Sequence, residues 1–342
     1  MLARAAAWLD RAAFSPAKLP DDLIIGIALA PPVAAGLIIF KLPAAEILAV
    51  ALIAGIGAEL VARIVWRKTI PRPQASPLIA ALFGVALVGP AAPLTTMVGQ
   101  LEIPGAPILI AALAVALELL RARYIPAVRA QAGLMAWAVN WLLGRGAPRG
   151  YVDPSGGNPL DPIATWFNFF RSQDSMPVDA IRLYVGNVPG PVFATSMLAV
   201  IIGIAWLAYA RRLSLVVLAS FLIGALLPIQ LYHWNPLFHL DSGPTWFVAG
   251  LLLADRKLLP GPWAIKMLLG LTAGVLAMQL RANGNGIEGA FLAVAAVQAV
   301  VAVIVAALWG MSLMTERMRR SRRLRQRESQ LRVVDDPVSR AG

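Results

Sequence analysis

The residues best suited to chemistry are polar ones that introduce an unusually short apolar stretch. Asp241, Ser242 and Thr245 directly precede Trp246–Ala254. That stretch is too short to cross a hydrocarbon layer, which takes about twenty residues. The free N–H groups and positive dipole at a helix start favour anions and carbonyl groups. We therefore expect Asp241, Ser242 and Thr245 to contribute to a binding site, suited to a flavin, a quinone or a small polar solute.

A second short apolar stretch, Leu78–Val88, follows Ser76 and ends at a Gly-Pro pair. In each half of the chain, two long apolar segments come first, then a short one, then two more. An odd number of segments per half inverts the second half relative to the first, and interrupted segments at matching positions indicate a central site. Ser76 is therefore the fourth candidate for that site, and the two short helices should start on opposite membrane faces.

The composition excludes several other kinds of site. The chain has 342 residues, of which 59% are hydrophobic and 14% charged, and soluble domains carry more charge. Without cysteine, it can form no disulfide, thiolate metal site or cysteine nucleophile. The two histidines, His233 and His239, argue against a multi-histidine metal centre. We predict no metal site and no catalytic residue.

The apolar runs predict an all-α polytopic membrane protein of about ten transmembrane segments. They are expected to form two inverted five-segment repeats, each with a short broken helix. The runs are Leu23–Phe40, Ile47–Val65, Leu78–Val88, Ile108–Leu120, Ala130–Leu143, Val192–Ala210, Leu213–Leu231, Trp246–Ala254, Ala264–Leu280 and Ala290–Leu313.

The distribution of basic residues predicts the orientation. Every even-numbered connection between runs carries two or three Lys or Arg residues, whereas the short odd-numbered ones offer only Lys41 and Arg281. Basic connections stay on the cytoplasmic side, so both termini are predicted to be cytoplasmic. The membrane is predicted to be the inner (plasma) membrane of the cell. The chain is then divided into residues 1–21 (cytoplasmic), 22–143 (first repeat), 144–191 (outer connection), 192–314 (second repeat) and 315–342 (basic tail).

The net charge of +12 could be mistaken for a nucleic-acid signal. Much of it lies in Arg317–Arg327, directly after the last apolar run. Basic residues in that position bind anionic lipid. We therefore predict anionic lipid, and not nucleic acid, as the partner of the tail. The aromatic cluster Trp166–Phe170 in the outer connection is interpreted as a membrane-interface belt.

Three glutamates lie within or at the start of apolar runs: Glu59, Glu118 and Glu288. Buried carboxylates in membranes are costly and often line ion pathways, so these are ion-pathway candidates. The alternative is structural pairing, because Glu59 lies four residues before Arg63 and Glu118 three before Arg121.

Several motifs resemble a known family. They are Pro236-Leu-Phe-His-Leu-Asp-Ser-Gly-Pro-Thr245, Gly284-Asn-Gly-Ile-Glu-Gly289 and Gly190-Pro-Val-Phe-Ala-Thr-Ser196. Together they resemble the RnfD-type membrane proteins of Rnf electron transport complexes and their NqrB-type relatives in the sodium-translocating NADH:quinone reductase. The resemblance implies other membrane and redox subunits as partners, and it adds Thr195 and Ser196 to the cofactor-binding candidates.

The resemblance also bears on flavin. Members of that family carry FMN esterified to a threonine of an S-G-A-T motif in the outer part before segment six. Here the corresponding stretch, Arg171–Ile181, contains no threonine. We therefore expect covalent FMN to be absent, while non-covalent FMN or riboflavin stays open.

Three functions remain. The first is a divergent electron-transport subunit, at most part of an ion-translocating oxidoreductase complex. The second is an inverted-repeat transporter or channel for a small solute. The third is a non-catalytic membrane anchor of an enzyme complex.

Overall fold

The structure is a computed structural model, and it describes residues 19–65, 76–98, 101–144, 149–156, 160–170, 177–241, 243–259 and 261–334. Ser242, most of the predicted N-terminal segment and the last eight residues of the tail lie outside this part of the chain. The side chains after Glu316, which are predicted to bind lipid, also lie outside the described part of the chain.

Each of the ten predicted apolar runs coincides with a helix. The helices that correspond to the runs are α1 (Asp21–Phe40), α2 (Leu42–Val65), α3 (Pro77–Ala86), α4 (Ala106–Tyr124), α5 (Ala132–Leu143), α8 (Met197–Tyr209), α9 (Leu215–Leu231), α11 (Gly243–Trp246), α12 (Trp263–Leu280) and α13 (Glu288–Val334). Helix α11 continues as a wide π-helical turn over Phe247–Leu253. Helix α12 is followed by a kink over Arg281–Asn285, in which Asn283 and Gly284 leave helical geometry.

In the described parts of the connections there are three short helices. Helix α6 (Pro162–Thr165) continues into a π-helical turn over Trp166–Phe170. Helix α7 (Ala180–Val185) precedes the second half, and α10 (Pro236–Leu240) directly precedes α11.

Among the described residues, four apolar helices are long enough to cross a membrane by length and composition. These are Asp21–Phe40, Leu42–Ala62, Trp263–Asn285 and Glu288–Glu316, and α3, α5, α8, α9 and Gly243–Leu253 are shorter apolar helices. Apolar helices of this number and length are those of a multi-pass membrane protein.

One element departs from the predicted all-α fold. Strands β1 (Thr95–Val98) and β2 (Leu101–Pro104) pair antiparallel between α3 and α4. With four residues each and no buried face of alternating residues, they produce no periodic signal that sequence analysis could detect.

The short helix α3 has a well-defined start. The Ser76 hydroxyl accepts a hydrogen bond from the Ile79 N–H at 3.2 Å, and proline occupies the first helical position. Both features stabilise a helix N-terminus.

The two halves touch through their first helices. Gly203 on α8 lies against α1 so closely that a Cβ there would come within 2.3 Å of the Ala28 carbonyl oxygen. Trp206 Nε1 donates a hydrogen bond to the Ile24 carbonyl at 3.0 Å. Only glycine permits this approach of the two backbones.

The short helices and the last helices of the two halves also meet. The rings of Phe83 on α3 and Phe247 after α11 lie edge to face with centroids 6.2 Å apart. Trp137 on α5 packs against Phe291 on α13 at 5.1 Å. All four side chains are fully buried, so the core of the molecule lies between the halves.

Candidate functional site

One polar cluster lies at the start of α3 and contains Ser76. Besides capping the helix, Ser76 donates its backbone N–H to Asp22 Oδ1 at 3.2 Å. The carboxylates of Glu59 and Glu118 lie within electrostatic range of Asp22. This end of the molecule therefore gathers three acidic side chains from the first half.

Glu118 belongs to this cluster as half of a buried ion pair. Its two carboxylate oxygens accept hydrogen bonds from Arg121 Nη2 at 2.6 Å and Nε at 3.0 Å. Arg121 also donates to the Val128 carbonyl at 2.8 Å. A carboxylate held in a bidentate pair is fixed in place, and the geometry favours structural pairing for Glu118 over ion passage.

The same end holds a network that sequence reasoning missed. Arg212 donates to both carboxylate oxygens of Asp255, at 2.7 and 3.0 Å, and it also contacts Asp21. Lys257 contacts Asp21 as well. The network ties the start of α1 to two connections of the second half. In the sequence, the basic residues of this network were used only to predict the orientation in the membrane. The acidic residues near them were the signal from which ion pairing could have been predicted.

A second cluster lies at the start of α11 and contains Thr245. This residue is fully buried, and its hydroxyl accepts a hydrogen bond from Arg281 Nη2. Arg281 Nη1 donates to the His239 carbonyl at 2.8 Å. Arg281 is itself fully buried. A buried guanidinium requires such partners.

Two carboxylates complete the second cluster. A Cβ on Gly286 would lie 2.9 Å from Asp161 Oδ2 and 3.2 Å from Glu288 Oε2, so both carboxylates flank this glycine. Both are buried. Arg149 Nε lies 2.9 Å from Glu288 Oε1, and about half of the Arg149 side chain is exposed.

The outer connection contributes two of these titratable groups. Asp161 caps α6 by accepting the Ala164 N–H at 2.9 Å, and burial raises the pKa of its carboxyl group above the usual value. Burial, followed by the nearby charges of Glu288 and Asp161, raises the pKa of Tyr151 well above its usual value. In both groups burial disfavours the charged form.

Thr195 and Ser196 lie at this second end of the molecule but serve the backbone. The Thr195 hydroxyl donates to the Pro191 carbonyl, and the Ser196 hydroxyl caps α8 by accepting the Ala199 N–H at 3.4 Å. The Thr195 carbonyl lies against Gly243, where a Cβ would approach it to 2.1 Å. Asp241 is partly exposed and ends α10.

A sequence profile of the NQR2, RnfD, RnfE family matches residues 110–311. The chain belongs to this family. Comparison with curated protein sequences gives no match. Proteins of the NQR2, RnfD, RnfE family are found in Rnf and Nqr electron transport complexes, and this chain is a membrane protein of that kind. The resemblance found in the sequence motifs is thus confirmed.

The match to the NQR2, RnfD, RnfE family covers the second cluster completely. Asp161, Thr245, Arg281 and Glu288 all lie within residues 110–311, whereas Ser76 does not. The sequence pattern predicts Ser76 and Thr245 at one central site. The two hydroxyls instead cap or line separate clusters at the starts of two helices, which meet through the Phe83–Phe247 contact.

His239 is a functional candidate that sequence reasoning missed in this family member. Its ring is fully buried, with centroids of Trp166 at 4.8 Å and Trp234 at 4.9 Å. Neither ring nitrogen has a hydrogen-bond partner among the described residues. The prediction of an interface belt is wrong for Trp166, which is buried, while Phe169 and Phe170 are exposed. Trp166 is buried because its ring packs against His239 of α10 and against Trp234.

The two candidate hydroxyl groups at the short helices already have partners within the protein. Ser76 and Thr245 are buried and hydrogen-bonded, and the Phe83–Phe247 contact fills the space where the helices meet. No group of three or more His, Asp or Glu side chains in the described ranges could hold a metal ion.

Proposed function

We propose that the chain is a divergent, ion-coupled membrane subunit of an Rnf/Nqr-type electron transport complex without covalent FMN. The observation that carries the proposal is the buried cluster of Asp161, Arg281 and Glu288, which lies wholly within the family match. Buried charges at membrane depth are costly and mark ion or substrate pathways.

The charges of this cluster suit the handling of one cation. When both are ionised, Asp161 and Glu288 carry two negative charges, which the charges of Arg281 and Arg149 can balance. Arg281 is buried and held by Thr245 and His239, but Arg149 is half exposed. If the Arg149 side chain moves into solvent, the negative charge of Glu288 loses its partner. We propose that a proton or a monovalent cation then binds between the two carboxylates and that return of Arg149 releases it.

Two inverted five-segment repeats are part of the proposal. These contacts between the halves join corresponding elements. The first helix of one half contacts the first helix of the other, and the same holds for the short helices and for the last helices. A two-fold axis in the membrane plane generates such pairs. The polar clusters at the starts of α3 and α11 would then lie at opposite faces, with both termini in the cytoplasm of the cell.

The absence of covalent FMN rests on the threonines of the outer connection. Thr165 is the only threonine in residues 144–191, and its hydroxyl donates to the Asp161 carbonyl at 2.9 Å. A denaturing gel viewed under ultraviolet light should show no fluorescent band at the mass of the protein. A fluorescent band would overturn this part and make Thr165 or Thr245 the candidate. Extraction of native protein tests for non-covalent flavin separately.

The complex itself is tested by purifying the tagged chain from native membranes. We expect redox subunits to co-purify in fixed stoichiometry. Isolation as a single polypeptide that carries a small solute across liposomes would instead support a transporter or channel. A single polypeptide with neither flux nor flavin would support a membrane anchor.

The ion site is tested by Glu288→Gln with Glu118→Gln as the matched control. Both glutamates are buried to the same extent, but only Glu288 belongs to the proposed site. In proteoliposomes containing the assembled complex, we expect Glu288→Gln to lower ion uptake per electron transferred about tenfold. Glu118→Gln should lower only the amount of folded protein. If both variants lost ion uptake per electron equally, the result would show that Glu288 has only a structural role.

A further inference from the structure

A basic pocket lies at the end of the molecule that holds the Arg212–Asp255 network. Its volume is about 500 Å³. Four basic side chains line it: Arg129 from the connection after α4, Arg256 and Lys257 from the turn before α12, and Lys266 from the second turn of α12. These residues come from two halves of the sequence and converge only in the fold.

The charge in this pocket is largely uncompensated. Lys257 contacts Asp21, and Asp255 is occupied by Arg212. No salt bridge joins Arg129, Arg256 or Lys266 to a carboxylate of the described residues. Three positive charges around one cavity attract an anion. An anion bound in the cavity reduces the electrostatic repulsion among these charges.

The pocket also has an apolar lining from α13, next to exposed apolar residues of the same helix. Val301, Ala302 and Val305 of α13 line the cavity. On the same helix, Val303 and Ile304 are exposed by 69% and 53%. A pocket with a basic rim and an apolar wall matches a molecule with an anionic head and hydrocarbon chains.

The depth of the pocket fits a lipid headgroup. Lys266 is one turn into α12, whose first residue, Trp263, is 67% exposed. Tryptophan at the end of a membrane helix lies at the headgroup level, and lysine within the first turns reaches the same level by extending its side chain.

We propose that this pocket binds one anionic phospholipid. Its phosphate lies among Arg129, Arg256 and Lys266, and its acyl chains follow α13 along Val301 and Val305. The site is distinct from the basic tail, and it does not depend on the proposed ion coupling. A bound lipid would link the connection after α4 to the start of α12 across the two halves of the chain.

The test is native mass spectrometry of the full chain in detergent, titrated with phosphatidylglycerol, with phosphatidylcholine or with inorganic phosphate. We expect one phosphatidylglycerol to bind, phosphatidylcholine to bind much more weakly, and millimolar phosphate not to displace the lipid. Arg256→Gln combined with Lys266→Gln should weaken phosphatidylglycerol binding about tenfold or more.

The control is Arg123→Gln combined with Arg211→Gln, which removes the same charge from exposed positions outside the pocket. It should leave the affinity unchanged. Equal weakening by both double variants would show diffuse surface attraction, and unchanged binding in both would show that the pocket is not used. Displacement by phosphate would show a site for a free anion. Each of these three results overturns the proposal, provided that gel filtration shows both variants to be folded.

Discussion

Arg281 and Thr245 form a hydrogen bond in which both side chains are fully buried. The guanidinium comes from the turn after α12 and the hydroxyl from the first turn of α11, 36 residues earlier. This bond joins the short helix of the second half to the cluster of Asp161 and Glu288. It therefore connects the interrupted helix, which is visible in the sequence, to the buried charges of the proposed ion site.

Thr245→Val should destabilise the protein, because the replacement keeps the shape but leaves a buried N–H of Arg281 without its acceptor. Hydrogen bonds to charged groups contribute about 1.5–3 kcal/mol, and we expect a loss of that size in the free energy of unfolding in detergent. Thr272→Val makes the same change at an exposed position of α12 and should cost nothing measurable. Equal losses in the two variants would contradict a specific role for the Arg281–Thr245 bond.

The contact between Phe83 and Phe247 should show coupling in a double-mutant cycle. Edge-to-face pairs contribute about 0.5–1.5 kcal/mol beyond the area they bury. Phe83→Leu, Phe247→Leu and the double variant should give a coupling energy in that range, measured from unfolding free energies. Strictly additive effects would mean that the two short helices do not stabilise each other there.

The stability of the protein should depend on pH through Asp161. Burial raises its folded pKa above the usual 3.8, so the folded state binds this proton more tightly than the unfolded state. The resulting stabilisation is complete below pH 3.8 and is lost as pH rises through the folded pKa. Asp161→Asn, which keeps a capping side chain, should flatten this part of the curve of unfolding free energy against pH.

Asp153 provides a control of opposite sign. Its partial burial raises the pKa, but hydrogen bonds from Ser155 and the charge of Arg182 outweigh this effect and lower it. Stability from Asp153 is therefore present above its usual pKa and lost as pH falls. Asp153→Asn should flatten the acid side of the curve only. The same change of slope in both variants would rule out a specific effect of burial at Asp161.

The orientation can be tested with single cysteines, because the chain has none of its own. A membrane-impermeant maleimide should label Ser155→Cys and Asn283→Cys in intact cells, and both positions are exposed. Thr69→Cys and Ser321→Cys should react only after the membrane is opened. Labelling of Thr69→Cys in intact cells would reverse the predicted orientation.

The sequence alone determined the helices and the class of protein. Apolar runs specify membrane helices locally, since every backbone group must be satisfied within its own segment. The position of Ser76 before Pro77 was enough to predict the start of α3, because capping involves only neighbouring residues. The family could be identified for a similar reason, since its motifs are contiguous in the chain.

Only the tertiary structure decided which polar side chains come together. In the sequence Arg281 is a lone basic residue of a short connection, yet its side chain is fully buried in the structure. Its partners, Thr245 and the His239 carbonyl, lie 36 and 42 residues away. Hydropathy indicates whether a segment is apolar. It does not indicate whether a charged side chain at the end of that segment points into the core or into solvent. That direction depends on the packing of helices that are distant in the chain, and for this reason the second cluster and the basic pocket emerged only from the fold.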